Sequence, residues 1–363
     1  MYNKDEKAII FMSQFDFMTA KKFSEFFSLL KSPKNLFELD EKQLFMFKDV
    51  IGNHYEKFVE TLKNFDENKF YDNLENRGIK VSTIASENYP FKLRKLENPP
   101  YCLYYVGNIN LVNNTCVSVV GSRNPTSYGK IVTEKLVKEM VEKDIVIVSG
   151  LALGVDKIAH ETTLNNKGKT IAVLGSGFDN IFPPINVNLA RDIAKSGLVI
   201  TEYYLNVKAT RYTFPIRNRI IACLSNAILI TEAKKGSGSL YTQEYGEQVG
   251  IDTMCVPGNI TSELSYSTNN LIKAGAIMVT SANDIFEKLG LQYQNKTREK
   301  KQKQLQLSIE QQTIYEALKN EELDFETLMQ KTGFSTQTLN ISLTSMEIAG
   351  IIKKMAGNTY ILC

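Results

Sequence analysis

The sequence predicts an α/β protein: an extended Rossmann-like parallel sheet with helices on both faces, preceded by a helical domain and followed by a winged helix. Three observations predict it. Short β-branched runs alternate with helical stretches through the middle of the chain. Each run ends in a glycine or a small polar residue, where a strand gives way to a loop. Apolar residues at helical spacing fill the segments on either side.

The first domain, residues 1–78, reads as a helical bundle. Ile9, Ile10, Phe11 and Phe15, then Phe23, Phe26, Phe27 and Leu30, recur at helix spacing, and Ser32-Pro33 has the form of an N-cap followed by a first-turn proline. Ile51-Gly52-Asn53 is open to two readings, a packing turn or the turn of a helix-hairpin-helix DNA module, although the second glycine that lets backbone amides approach phosphate is missing.

The second domain, residues 79–290, carries the strands. Its runs are Thr115-Val120, Ile145-Val148, Thr170-Leu174, Leu198-Ile200, Ala227-Ile230, Thr253-Val256 and Ile277-Val279. Such near-continuous apolar strands describe a parallel sheet covered on both faces. Residues 291–304 break the pattern; Lys296 to Lys303 holds five basic residues against one acidic and reads as a solvated linker.

In residues 305–363, helices are expected over Ile309–Leu318, Phe325–Lys331 and Thr336–Ile348, with Gly333 turning the chain between the last two. Gly350–Ile352 and Thr359–Leu362 then form a two-stranded wing. From Ser308 to Cys363 there are four lysines against seven acidic residues, and Ser335–Ile348 has no basic residue. A segment of that charge has little general affinity for a phosphate backbone, so a protein-interaction role is favoured over DNA reading.

Composition narrows the function. At 363 residues the chain exceeds one ordinary domain, and 43% hydrophobic with 23% charged residues is globular. No 18-residue apolar run appears and Asp5, Glu6 and Lys7 interrupt the N-terminus, so a cytoplasmic protein with no membrane contact is expected. Five scattered cysteines and two histidines offer neither a disulfide framework nor a metal site, and no metal or cofactor is expected. A net charge of +3 excludes a polybasic binder and leaves a local patch.

In an open parallel sheet, ligands sit beyond the carboxyl ends of the strands. Three stretches there suit an anion. Gly121-Ser122-Arg123 follows the first run with a backbone approach, a hydroxyl and a planar five-donor fork. Arg217 and Arg219 lie two apart in the basic, aromatic-interleaved stretch Arg211–Ile221, so one faces the cleft while the other braces a loop. Lys234-Lys235-Gly236-Ser237-Gly238-Ser239 opens a helix as a basic amide nest. The loop Ser149–Asp156 leaves room at Gly150. Asp156 reads as a cap or an Arg partner, His160 as a packed residue over a general base, and Glu202 and Glu232 as loop anchors over an acid–base pair. Together the loops form one positive groove, with Phe214 or a nearby Tyr for stacking, suited to single-stranded nucleic acid.

These stretches together resemble the DNA-processing protein A family (DprA, also called Smf). The resemblance rests on Gly121-Ser122-Arg123, Ser149–Asp156 with Ala159-His160, Phe214–Ile221, Ser237–Leu240, Pro257-Gly258 and Asn269–Ile272 with Gly275-Ala276, and the helical (SAM-like) N-terminus and winged-helix tail match the family's flanks. It implies a cytoplasmic, non-enzymatic, homodimeric protein that binds single-stranded DNA and helps load a RecA-type recombinase in natural transformation. By position, Gly121, Ser122, Arg123, Gly150, Arg217, Arg219, Lys234, Lys235, Ser237, Gly238 and Ser239 would contact DNA. Gly236 stands where the family usually has a basic residue. The rival readings are a nucleotide N-ribohydrolase, whose signature is reduced here to Pro257-Gly258-Asn259, and a nucleotide sensor.

Overall fold

The computed structural model describes residues 2–291, 307–319, 321–355 and 358–362, in two compact units, Met1–Leu291 and Gln292–Cys363. The expected basic linker falls, from residue 292 on, outside the described residues.

The first unit begins with six helices: α1 (Lys4–Met12), α2 (Ala20–Leu30), α3 (Glu41–Phe45), α4 (Lys48–Ile51), α5 (Tyr55–Lys63) and α6 (Glu67–Asn76). Asn3 starts α1 with a capping box, its side chain accepting from the Glu6 amide while the Glu6 carboxylate accepts from the Asn3 amide. Phe11, Phe26 and Phe58 are fully buried, and Phe26 stacks on Phe47 at 4.2 Å. Each such ring contributes roughly 1.5–3 kcal/mol by leaving water. Ser32 differs from expectation: Pro33 opens a 3-10 turn, Pro33–Glu38, and the Ser32 hydroxyl donates to Asp5 rather than capping the turn.

The sheet has nine strands: β1 (Lys80–Thr83), β2 (Cys102–Gly107), β3 (Cys116–Val120), β4 (Val146–Ser149), β5 (Thr170–Val173), β6 (Leu198–Thr201), β7 (Ala227–Ile230), β8 (Thr253–Cys255) and β9 (Ile277–Met278). They lie in the order β1-β2-β6-β5-β4-β3-β7-β8-β9. From β6 to β9 across the sheet every pairing is parallel, whereas β2 joins β6, and β1 joins β2, antiparallel. The sheet is therefore mixed, with two antiparallel strands that the helical alternation of the sequence did not predict.

Helices α7 (Ser127–Val141), α8 (Val155–Asn165), α9 (Val187–Ser196), α10 (Thr213–Leu224), α11 (Ser239–Gln248), α12 (Tyr266–Lys273) and α13 (Ala282–Lys288) complete the unit. Successive strand residues feed opposite faces. Val117, Val119, Ala227 and Leu229 join a core with Leu136 and Val137 of α7, while Cys116, Val120, Ile228 and Ile230 join one with Ile220 and Ile221 of α10. The winding reverses between β3 and β7: the chain steps from β3 through β4 and β5 to β6, then returns along α10 to β7 on the other side of β3. In open α/β sheets such a switch point is where a crevice forms.

The second unit contains α14 (Ile309–Ala317), α15 (Phe325–Thr332) and α16 (Thr336–Ile348) with a small sheet in the order β10 (Leu323–Asp324), β12 (Thr359–Leu362), β11 (Ile352–Lys354). Gly333 ends α15 in the left-handed region at φ 70°, the conformation that suits glycine. Among the described residues, no helix is long and apolar enough to cross a membrane, and no cluster of three or more His, Cys, Asp or Glu gathers as a metal site.

Candidate nucleic-acid interface

The loops that follow β3 and β7 meet at the switch point. With α10 they line an open trough of about 750 Å³ that includes Gly121, Ser122, Arg123, Phe214, Arg217, Lys234 and the Ser237-Gly238-Ser239 turn. Gly150, Arg219 and Lys235 lie outside its lining.

The loop after β3 is fixed by its neighbour. The Ser122 amide donates to the Glu232 carbonyl at 2.7 Å, and the Glu232 carboxylate accepts from the Thr126 amide at 2.8 Å and hydroxyl at 2.5 Å. Glu232, buried at the end of β7, thus ties down the segment that presents Arg123. Arg123 itself is exposed and forms no ion pair among the described residues; its guanidinium lies 5.6 Å from the centre of the Phe214 ring. Phe182 sits 5.7 Å from the same ring.

Arg217 is 4% exposed. Its Nη1 donates to the Gly150 carbonyl at 2.7 Å and to the Val173 carbonyl, and its Nε donates to Asn218. Burial pushes the guanidinium down to about 10, against the opposing pull of the Asp156 carboxylate, so it stays charged at neutral pH. It also lies 5.9 Å from the Phe214 ring centre. Two residues on, about half a helical turn round, Arg219 faces the other way and pairs with Glu202, whose carboxyl burial pushes up against that pairing. The two arginines therefore divide as their spacing requires: Arg217 at the trough floor, Arg219 as a brace behind it.

Gly121 and Gly150 are small for internal reasons. A Cβ at Gly121 would sit 2.8 Å from the Val155 side chain, and one at Gly150 would sit 2.6 Å from Arg217 Nη2. Gly236 and Gly238, by contrast, face open space. Gly238 starts α11 without a side-chain cap; the Leu240 amide of the first turn donates back to the Ser237 carbonyl at 3.1 Å, and the rest of this helix start carries no side-chain acceptor that would compete with an anion. Ser237 and Ser239 share a hydroxyl hydrogen bond at 2.9 Å, and Asn218 Nδ2 donates to the Gly238 carbonyl at 3.1 Å. Lys234 and Lys235 are exposed, and only Lys234 lines the trough.

Asp156 accepts from the Gly150 and Ala152 amides and closes its own loop. His160 is fully buried. Thr170 gives its hydroxyl proton to the Ile147 carbonyl at 2.7 Å, which leaves the imidazole Nδ1–H to donate to Thr170. Burial, and secondarily the charge of Arg217, pushes the ring down to about 3 and holds it neutral.

The sequence reading missed Asn218 and Phe182 as parts of this site. Asn218 stands between the two arginines that drew attention, and Phe182 arrives from the loop after β5, where only its place before Pro183 marks it.

Comparison with known proteins gives the following. A family model described as DNA recombination-mediator protein A matches residues 80–290, and one for the DprA winged helix domain matches residues 298–358. DNA processing protein DprA of Bacillus subtilis is 36% identical over 251 residues, 69% of this chain and 82% of that protein. DNA processing protein DprA of Streptococcus pneumoniae is 41% identical over 203 residues, 56% of this chain and 72% of that protein. The X-ray structure of the Streptococcus pneumoniae protein matches with a TM-score of 0.66 at 33% identity, covering 79% of this chain and 98% of that one. DNA processing protein A from Helicobacter pylori, solved to show its single-stranded DNA binding mode, matches with a TM-score of 0.53 at 31% identity, over 58% of this chain and 95% of that one.

Proposed function

The chain belongs to the DNA recombination-mediator protein A family, and on that premise we propose that its trough holds single-stranded DNA for transfer to a RecA-type recombinase. One observation carries this reading: Arg123, Lys234, the uncapped first turn of α11 and the Phe214 ring, from three separate stretches of chain, line one open trough. Cationic and amide donors hold phosphates, while an aromatic face takes an unpaired base at ~1–3 kcal/mol per stacked base. A paired duplex hides its base faces and gains only the phosphate term. The Helicobacter pylori relative, described through its single-stranded DNA binding mode, supports the same choice.

We read the protein as a binder rather than an enzyme. The residues that would serve a hydrolase are already engaged: Glu232 holds Thr126, Glu202 holds Arg219, and His160 is buried and neutral. A homodimer in the cytoplasm acting in natural transformation completes the reading, as does a partner-binding role for the acidic winged helix.

Fluorescence anisotropy with labelled single- and double-stranded oligonucleotides of one sequence, at two salt concentrations, tests the proposal. Preference for the single strand with a steep salt dependence is expected; equal binding of both forms, or release of free base from added nucleotides, would refute it.

A further inference from the structure

Beyond Phe182 lies a second groove of about 540 Å³, between the loop after β5, the start of α9 and the segment leading into α10. Phe182 lines both this groove and the trough, and at 48% exposed it forms a shared sill between them. Arg191 of α9 and Lys208 line the groove; both are exposed and neither forms an ion pair among the described residues. Its one carboxylate, Asp179, is paired with Arg77 and so leaves the cationic character intact. The walls are pre-set: the Gly177 amide donates to the Val207 carbonyl at 2.9 Å and the Asp179 amide to the Leu205 carbonyl at 2.8 Å. This backbone pairing fixes the segment carrying Lys208 against the loop carrying Phe182.

We propose that the nucleic-acid path continues over Phe182 into this groove, where Arg191 and Lys208 hold further phosphates of the same strand; the inference rests on the reading of the trough above. Two points favour a single strand as the occupant. The groove is continuous with the trough through an exposed aromatic ring, and its unpaired charges are of the sign that complements a phosphodiester backbone. Exposed Arg211, which lines the trough three residues after Lys208, continues the row of cations between the two.

The test uses the full chain and oligothymidylates of roughly four and roughly twelve nucleotides, a short and a long length within the range for single-strand sites. In an Arg191→Ala/Lys208→Ala double variant, the longer oligonucleotide should bind five- to tenfold more weakly, a rough scale for two lost phosphate contacts, with a salt slope lower by about 1.4. The shorter one should bind within about twofold of wild type, and Arg123→Ala should weaken both lengths. Wild-type affinity of the double variant for both lengths, or an equal loss at both, would overturn the extension while leaving the trough in place. Failure of Arg123→Ala to weaken either length would instead refute the trough reading, and the extension with it.

Discussion

Gly150 lies directly against Arg217, with no room for a methyl group: a Cβ there would meet Nη2 at 2.6 Å and Cζ at 2.7 Å. The guanidinium spans two strand ends, donating to the carbonyls of Gly150 after β4 and Val173 in β5. Gly150→Ala is therefore expected to destabilise the protein by about 1–3 kcal/mol through overpacking. Arg217→Ala should cost at least about 1–3 kcal/mol, because the buried Gly150 and Val173 carbonyls lose the donor they share. Urea unfolding checks both; an unchanged midpoint for either variant would mean the guanidinium is not locked in place.

Arg123 is the opposite case. Exposed and without an ion-pair partner among the described residues, it contributes little to folding. Arg123→Ala should leave the unfolding midpoint within experimental error and weaken single-strand binding several-fold. The log–log salt slope should fall by about 0.7, the value of one phosphate contact. An anisotropy titration across salt concentrations reads both quantities.

The strands from β3 to β9 were legible because each is a short β-branched run closed by a small residue, and a strand buried on both faces has no polar alternation to hide it. Strands β1 and β2 were not. Lys80–Thr83 mixes polar with apolar residues, and the connection from β1 to β2 holds a 3-10 turn, Phe91–Lys95, in place of a crossover helix. The division of Arg217 from Arg219 follows from helix geometry, but which of them enters the trough depends on Glu202, 17 residues away along the chain. The same holds for Gly150, read from sequence as room for a ligand and occupied here by a side chain 67 residues distant.

Glu232 is expected to act on binding without touching DNA. A Glu232→Gln amide offers one acceptor oxygen where the carboxylate uses two, on the Thr126 amide and hydroxyl. The variant should lose about 1–3 kcal/mol of stability and bind single strands a few-fold more weakly because Arg123 is no longer held. Thermal unfolding paired with anisotropy checks this; lost stability with wild-type affinity would separate the anchor from the site.

His160 should make the fold sensitive to acid. Its imidazole stays neutral down to about 3 when folded, whereas in the unfolded chain it takes a proton below about 6.5. The unfolded state thus binds more protons in that window, and stability is lost as pH falls through it, by about 1.4 kcal/mol per pH unit at most. His160→Gln should flatten the decline between about pH 6.5 and 5, as measured by urea unfolding at each pH; an unaltered slope would contradict a buried neutral ring.

The most direct measurement is photo-crosslinking of a bromodeoxyuridine-substituted single strand to the full chain, followed by peptide mapping. Cross-links should fall in peptides carrying Phe182, Phe214 and Tyr241, around the trough that joins the ends of β3 and β7. Cross-links confined to residues 307–362, or scattered over the helices before β1, would contradict it.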